Sequence, residues 1–310
     1  MRGNELEDRE IGPVRVLFGK HGGRYPDANS LLVCGSRERV IVDPGLGLLS
    51  RPGPPPEVDR VLNSHCHEDH IAGNHLFSGV PWHLHRLDQP GICSLEAMMA
   101  IYGLPEAIER PFREVIRKQF HFTPRPDALC FEDGDVFDLG GTRLQVIHSP
   151  GHTRGHCCFL IEWQGAAAPL LYLGDIDLTG FGPYYGDAWS NLEDFERSIA
   201  RVREIEAGWY VTSHQAGLLE SRGEFRERLR RFGARIRERE ERLLAYLSQP
   251  HSLEEIVDHR FVYRPKDRVL YIDAVERRSM AQHVQRLLTQ DRIEEVEPGR
   301  YRTRSRAPVS

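Results

Sequence analysis

Short apolar runs that end in a turn and a polar side chain recur along the first two thirds of the chain. Runs of this length, bounded by Gly, Pro and polar residues, predict β-strands with the polar groups at their ends. The runs and the groups that follow them are Val40-Ile41-Val42 before Asp43, Arg60-Val61-Leu62 before a histidine-rich segment, Leu171-Tyr172-Leu173 before Asp175, and Trp209-Tyr210-Val211 before His214. A Ser149-Pro150-Gly151 turn presents a further histidine, His152.

Helical spacing of apolar residues appears between these strands and again near the end of the chain. An insertion at 90–127 predicts one helix over Leu95–Tyr102 and a second from Pro105 to Phe120, as core packing or as a lid. Glutamate and arginine alternate with apolar residues over 220–242, which predicts a charged connecting helix. A capping box at Ser252 and Glu255, a later helix and a hairpin near 293–301 then predict a winged-helix-like module.

These patterns predict a division into a large first domain at 1–222, a connecting helix at 223–247, the winged-helix-like domain at 248–303 and a tail at 304–310. A length of 310 residues accommodates one large core and a small appended domain. The expected fold class is therefore α+β.

Composition narrows the expected partners and location. A net charge of −5 and a pI near 6.3 argue against broad affinity for nucleic acid. The first eight residues lack the apolar stretch of a signal peptide, and no run is long enough to span a bilayer, so no membrane partner is expected. Six cysteines without CxxC spacing favour reduced thiols and a cytoplasmic location.

The segment Asn63–His70 carries the most distinctive chemistry of the sequence. It places His65, His67 and His70 beside Asp69, directly after an apolar strand. Imidazole and carboxylate donors suit zinc, iron and manganese. His65 and His67 share one face of an extended segment, whereas Asp69 and His70 lie on the following turn. The segment therefore predicts a metal site with room for a second ion.

In this order, the five motifs resemble those of the metallo-β-lactamase-fold superfamily over roughly the first 220 residues. The resemblance implies a four-layer αβ/βα sandwich and two divalent ions, with zinc expected and iron or manganese as alternatives. It implies His65, His67 and His152 as ligands of one ion, Asp69, His70 and His214 as ligands of the other, and Asp175 as the bridge. Asp43 resembles the acid that orients the histidine segment from outside the ligand set, although a strand-end turn residue is an equal alternative.

The expected activity is hydrolysis of a small-molecule thioester, ester or lactone by a bridging hydroxide. A thiolate or alkoxide leaves without a strong general acid, whereas an amine usually needs a proton, which Asp69 or a bound water could supply. An aspartate at position 175 resembles glyoxalase II-like thioesterases, lactonases and nuclease members more than true β-lactamases, so β-lactam hydrolysis is a weaker expectation. A non-catalytic binding module is a further alternative, and an oligomer is compatible with the sequence.

Residues 248–303 are similar to the C-terminal domain of the winged-helix-bearing branch of that superfamily, which includes endoribonucleases of the β-lactamase-like-protein-2 type. This resemblance implies a single-stranded RNA phosphodiesterase as the main alternative function. The last metal motif is Thr212-Ser213-His214-Gln215 here, whereas that branch usually carries Pro-Gly-His-Gly.

An aromatic and glycine-rich loop at 177–189 follows the predicted bridging aspartate. Its tyrosines, Tyr184 and Tyr185, are candidate catalytic residues that could donate a hydrogen bond to a developing oxyanion. Aromatic packing beneath the loop is the alternative.

Overall fold

The computed structural model describes residues 7–304. The first six residues and, except for Arg304, the predicted tail at 304–310 lie outside the described residues. Within 7–304 the strands form three sheets. No helix in this part of the chain is both long enough and apolar enough to cross a membrane.

The first sheet has seven strands in sequential order. Its first four strands are antiparallel, and β4 to β7 run parallel. The strands are β1 (Arg9–Ile11), β2 (Val14–Leu17), β3 (Ser30–Cys34), β4 (Arg39–Val42), β5 (Arg60–Leu62), β6 (Trp82–His85) and β7 (Leu129–Phe131).

The second sheet has six strands in the order β13-β12-β11-β10-β9-β8, with a parallel pair at β11 and β12. Its strands are β8 (Val136–Asp138), β9 (Thr142–His148), β10 (Cys157–Trp163), β11 (Leu170–Tyr172), β12 (Trp209–Val211) and β13 (Leu218–Leu219). The remaining sheet, near the C-terminus, consists of β14 (His251–Ser252), β15 (Ile293–Glu297) and β16 (Arg300–Thr303).

The helical segments are of two lengths. The short ones are α1 (Lys20–Gly23), in which His21 and Gly22 have positive φ, α2 (Leu46–Leu49) and α3 (Glu68–Ile71). The longer helices are α4 (Leu95–Tyr102), α5 (Glu106–Lys118), α6 (Leu192–Arg203), α7 (Arg222–Tyr246), α8 (Leu253–His259) and α9 (Ile272–Thr289). Two 3-10 helices cover Asn74–Phe77 and Gln89–Ile92.

Side-chain alternation along the strands produces the layers. Val40 and Val42 of β4 face the second sheet, where they share a core with Tyr172 of β11. Ile41, between them, points outward onto the layer that contains α4 and α5. Leu171 likewise points outward, onto α6 and α7. Because successive strand residues face opposite sides, each sheet buries both faces, and the predicted four-layer αβ/βα arrangement is confirmed.

The predicted helices in the insertion and near the C-terminus are present, and their N-terminal residues make the expected capping hydrogen bonds. The Ser94 hydroxyl accepts a hydrogen bond from the Ala97 amide at the start of α4. Both bonds of the predicted capping box at Ser252 and Glu255 are present at α8. Helices α8 and α9 and the hairpin of β15 and β16 share a separate core with the end of α7. The winged-helix identity of this C-terminal unit and the domain limits stay predictions.

Candidate metal centre

Four of the predicted ligands converge where β5, β9 and β11 end. His67 Nδ1 lies 3.1 Å from His65 Nε2 and 2.8 Å from His152 Nε2. Asp175 Oδ2 lies 3.1 Å from His152 Nε2. The donor atoms of these four side chains are all within 4.8 Å of one another. We refer to them as the first cluster.

The second cluster consists of Asp69, His70 and His214. His214 Nε2 lies 3.2 Å from Asp69 Oδ2, and His70 Nε2 lies 3.7 Å from the same oxygen. Asp175 connects the clusters, because its Oδ1 lies 3.0 Å from His70 Nε2 whereas its Oδ2 faces the first cluster. One carboxylate therefore presents one oxygen to each group of histidines.

The donor set fits divalent cations. His70 Nε2 and Asp175 Oδ1 are buried atoms without a hydrogen-bond partner of suitable geometry, although they lie 3.0 Å apart. Buried polar atoms are normally satisfied, and a cation between lone pairs would satisfy these two. Imidazole and carboxylate donors in this number suit zinc, iron or manganese.

Charges in the centre are tightly linked. Burial by itself would raise the pKa of Asp175, but the surrounding histidines, with His70 foremost, hold it well below its usual range. Burial would lower the pKa of His70 and His214, yet the Asp175 carboxylate holds both well above their usual value. For His65, burial and the neighbouring His70 lower the pKa. Histidine and carboxylate charges thus stabilise each other in this site, and a bound cation would take over the role of the histidine protons.

Each of the five histidines has a contact at the ring nitrogen that faces away from the clusters, which is a hydrogen bond in four of them and an ion pair with Asp187 in His67. Such outer contacts fix the tautomer and orientation of metal-binding histidines. The outward contacts are His65 Nδ1 to Ser64 Oγ at 3.0 Å, His70 Nδ1 to Asp43 Oδ2 at 3.0 Å, His67 Nε2 to Asp187 Oδ2 at 3.0 Å, His152 Nδ1 to the Tyr184 carbonyl at 3.1 Å, and His214 Nδ1 to the Gly23 carbonyl at 2.6 Å.

Asp43 lies where an orienting acid is expected. Besides its contact with His70, its carboxylate accepts hydrogen bonds from the Ser64 amide at 2.7 Å and the Tyr172 hydroxyl at 2.8 Å. Its φ of 47° is left-handed, a backbone conformation that aspartate tolerates better than most residues. The acid is fully buried, so these contacts fix it in place.

Asp187 performs the corresponding role for His67 and was missed by the sequence analysis. Burial lowers the pKa of His67, but Asp187 outweighs it and raises that pKa to about 9. The Tyr184 hydroxyl donates to Asp187 at 2.9 Å. Asp187 follows a glycine in an irregular loop, where no periodicity indicates which way a side chain points. The loop at 177–189 thus supports two histidines of the first cluster.

The prediction that Tyr185 donates to an oxyanion is wrong in this geometry. Its hydroxyl lies 2.9 Å from His283 Nε2 and accepts a hydrogen bond from Arg239 at 2.9 Å. Only 1% of the residue is exposed, and it does not line the cavity beside the clusters. Tyr184 does line that cavity, although its hydroxyl is already bound to Asp187. Adjacent tyrosines in an irregular loop point to opposite sides, which the sequence alone does not reveal.

The cavity beside the clusters has a volume of about 260 Å³. Asp69, His67, His152, Asp175 and His214 form its floor, so a molecule that enters meets the metal-side residues directly. Its walls also include residues other than the predicted metal ligands and catalytic tyrosines. These residues are Glu68, Tyr102, Leu104, Phe112, Asp177, Phe181, Asp187, Tyr263, Tyr271 and Val275. Three of them, Tyr263, Tyr271 and Val275, come from the C-terminal unit.

Comparisons with known proteins identify the family of the chain. Residues 25–231 match the family model described as the metallo-beta-lactamase superfamily. A chicken (Gallus gallus) protein named acyl-coenzyme A thioesterase MBLAC2 is 30% identical over 212 residues, which is 62% of this chain and 71% of that protein. An Emericella nidulans protein named atrochrysone carboxyl ACP thioesterase is 27% identical over 178 residues, 57% of this chain and 48% of its own length. The chain thus spans about half of that fungal relative.

Two solved structures share the fold. A metallo-beta-lactamase family protein from Thermus thermophilus has a TM-score of 0.69 at 24% identity and covers 95% of this chain and 99% of its own. A beta-lactamase domain protein from Burkholderia ambifaria has a TM-score of 0.70 at 19% identity and covers 96% and 94%.

Proposed function

This chain belongs to the metallo-β-lactamase superfamily and is a metal-dependent hydrolase, and we propose that it hydrolyses small-molecule thioesters with a pair of divalent ions. The observation that carries the proposal is the position of Asp175, whose two carboxylate oxygens face the two clusters separately. A carboxylate in that position could coordinate two neighbouring ions at once. Zinc is the proposed metal, with iron or manganese as alternatives.

Each cluster has a proposed role. His65, His67 and His152 would hold one ion, Asp69, His70 and His214 the other, and Asp175 both. Bound divalent ions supply activation of water near neutral pH and stabilisation of developing negative charge. Asp69 also lines the cavity, so it is the proposed carrier of the proton that the reaction releases.

A thioester is the substrate class that the site and the relatives both support. A thiolate leaves without strong acid assistance, so the reaction places little demand on a general acid. The relatives described above carry the name thioesterase. Within 7–304, the residues that line the cavity include neither lysine nor arginine, which gives the RNA alternative no electrostatic support there. Esters and lactones are secondary candidates.

The proposal includes a cytoplasmic location and a small-molecule partner. All six cysteines are free, and Cys66, Cys157 and Cys158 are buried. Free thiols in this number are usual in a reducing compartment. The C-terminal unit is proposed to be a winged-helix-like domain that completes the cavity instead of gripping RNA.

A substrate panel tests the proposed function. The metal-loaded protein would be assayed with acyl-coenzyme A thioesters, a lactone, a phosphodiester and single-stranded RNA, beside His67→Ala and the exposed control His121→Ala. We expect thioester hydrolysis in the wild type and the control, and a decrease of more than about a hundredfold in His67→Ala, because ligand loss exceeds the usual effect of losing an outer contact. Cleavage of only the phosphodiester or RNA in a His67-dependent manner would contradict the proposal.

A further inference from the structure

Aromatic rings line the cavity beside the metal centre at high density. Five of the ten tyrosines of the chain line it, together with Phe112 and Phe181. We infer that this cavity is an acyl chamber that selects a compact, uncharged aryl acyl group over a straight alkyl chain. The inference rests on the proposed thioester hydrolysis and specifies the acyl half of the substrate.

One continuous run of rings leads outward from His67. Tyr102 stacks on the His67 ring with a centroid distance of 5.6 Å and an interplanar angle of 19°. Phe112 meets Tyr102 edge to face at 5.0 Å, and Tyr271 of the C-terminal unit lies 6.1 Å from Phe112. These distances are in the range that aromatic pairs prefer, so a further ring in the cavity would extend an existing arrangement.

A second group of rings belongs to the loop at 177–189 and its neighbours. Tyr184 lies 5.7 Å from His152, and Phe181 lies 5.4 Å from Tyr263. The rings of the chamber therefore come from four separate parts of the chain, namely the segment that contains Tyr25, helices α4 and α5, this loop, and the C-terminal unit. Metal-side histidines contact rings of both groups, which places the reacting carbonyl and an aryl substituent in one cavity.

Acids within the wall hold the hydroxyl groups of three of the five tyrosines. The Tyr25 hydroxyl donates to Glu68 at 3.0 Å, the Tyr102 hydroxyl donates to the other oxygen of Glu68, and the Tyr184 hydroxyl donates to Asp187. Because these three hydroxyls are anchored, their rings are fixed and present hydrocarbon surface to a ligand. Rigid aromatic walls bind with little loss of conformational entropy.

Charge and size restrict the acyl group further. The carboxylates of Glu68 and Asp187 are engaged within the wall, and the described residues that line the cavity offer no lysine or arginine to a carboxylated acyl group. The volume of about 260 Å³ lies just below the usual range of small-molecule pockets, about 300–1,000 Å³. A one- or two-ring acyl group suits this chamber better than a long flexible chain.

A matched pair of thioesters tests the chamber. Turnover of phenylacetyl-coenzyme A would be compared with that of cyclohexylacetyl-coenzyme A, which has the same skeleton without the aromatic ring, beside octanoyl- and betainyl-coenzyme A. We expect kcat/KM to favour phenylacetyl over cyclohexylacetyl by about tenfold. Tyr271→Leu and Tyr263→Leu should each move this ratio toward one, whereas Tyr301→Leu, a C-terminal tyrosine outside the cavity, should leave the ratio unchanged.

The possible outcomes separate this inference from the proposed function. If thioesters are hydrolysed but the cyclohexyl, octanoyl or cationic betainyl substrate is equal or better, the aryl preference is wrong and the thioesterase proposal stands. If no thioester is hydrolysed, the thioesterase proposal is wrong. In that case, calorimetry of phenylacetate and cyclohexylacetate binding to the metal-loaded protein tests the aryl preference without catalysis. Equal affinities would overturn the aryl preference.

Discussion

At the scale of single residues, the outward-facing nitrogen of each histidine determines how well the centre is organised. Asp43 and Asp187 hold one histidine in each cluster, and both acids are almost completely buried. The position of Asp43 is predicted by a strand-end pattern. Asp187, in contrast, contacts His67 although more than a hundred residues separate the two in the chain. Contacts of the second kind leave no local signal in a sequence.

Replacing Asp187 with asparagine should weaken the binding of one ion by about 10- to 100-fold, because His67 loses the partner that fixes its orientation. Competition with a metal-binding dye measures this affinity without reference to activity. The exposed replacement Asp291→Asn serves as the control. Wild-type affinity in Asp187→Asn would show that the contact has no positioning role.

His283 gives the protein a specific pH dependence. Burial, reinforced by Arg286 and Arg239, holds the pKa of His283 well below 6.5. The unfolded chain therefore takes up a proton at this site as the pH falls below about 6.5, while the folded protein does not. The stabilising contribution of neutral His283 is complete above that pH and is lost below it, by about 1.4 kcal/mol per pH unit until the folded pKa is reached.

His283→Gln should reduce the slope of unfolding free energy against pH between 6.5 and 5. Urea unfolding at several pH values measures this slope. The comparison is between slopes, because the substitution also changes the bond to Tyr185 and shifts stability at every pH. Parallel curves for the two proteins would contradict the assignment of a neutral, buried His283.

At the scale of elements, the loop at 177–189 is held by the C-terminal helices. Arg239 of α7 donates to the Phe181 carbonyl at 2.8 Å and to the Pro183 carbonyl at 2.7 Å. Gln282 of α9 donates to the Tyr185 carbonyl at 2.8 Å. The loop in turn contacts two metal-side histidines, so the C-terminal unit supports the first cluster through it.

Arg239→Leu should lower the free energy of unfolding by about 2–4 kcal/mol, because it leaves buried carbonyl groups without a partner. Chemical denaturation provides the measurement. Arg231→Leu removes an exposed arginine of the same helix that pairs with Glu227, and should change stability by no more than about 0.5 kcal/mol. Equal effects of the two substitutions would mean that Arg239 does not hold the loop.

At the scale of the whole molecule, local patterns predict the strands and the polar groups at their ends, and the family resemblance adds the layered fold. Strand alternation determines which side chains lie between the sheets, and each strand end carries its own polar group. The cavity walls depend instead on contacts between distant segments. Tyr263 and Tyr271 look like ordinary residues of a C-terminal module until the fold brings them beside the metal centre.

Glu68, within the metal motif, also makes contacts with distant segments that the sequence does not predict. It lies between two predicted ligands and has no assigned role in the sequence pattern, yet it is buried and binds two tyrosine hydroxyls. Tyr25 and Tyr102 come from two different segments, so only the folded chain reveals the arrangement. The prediction for Tyr185 failed for a related reason, since neighbouring side chains of an irregular loop diverge.

Titration of the metal-free protein with zinc, with thioester hydrolysis measured at each ratio of bound metal to chain, tests whether a metal pair drives the reaction. We expect that two ions bind per chain, that hydrolysis rises with their binding, and that His67→Ala abolishes both the full stoichiometry and the activity. Thioester hydrolysis that persists at the same rate in the fully metal-free protein would contradict this expectation.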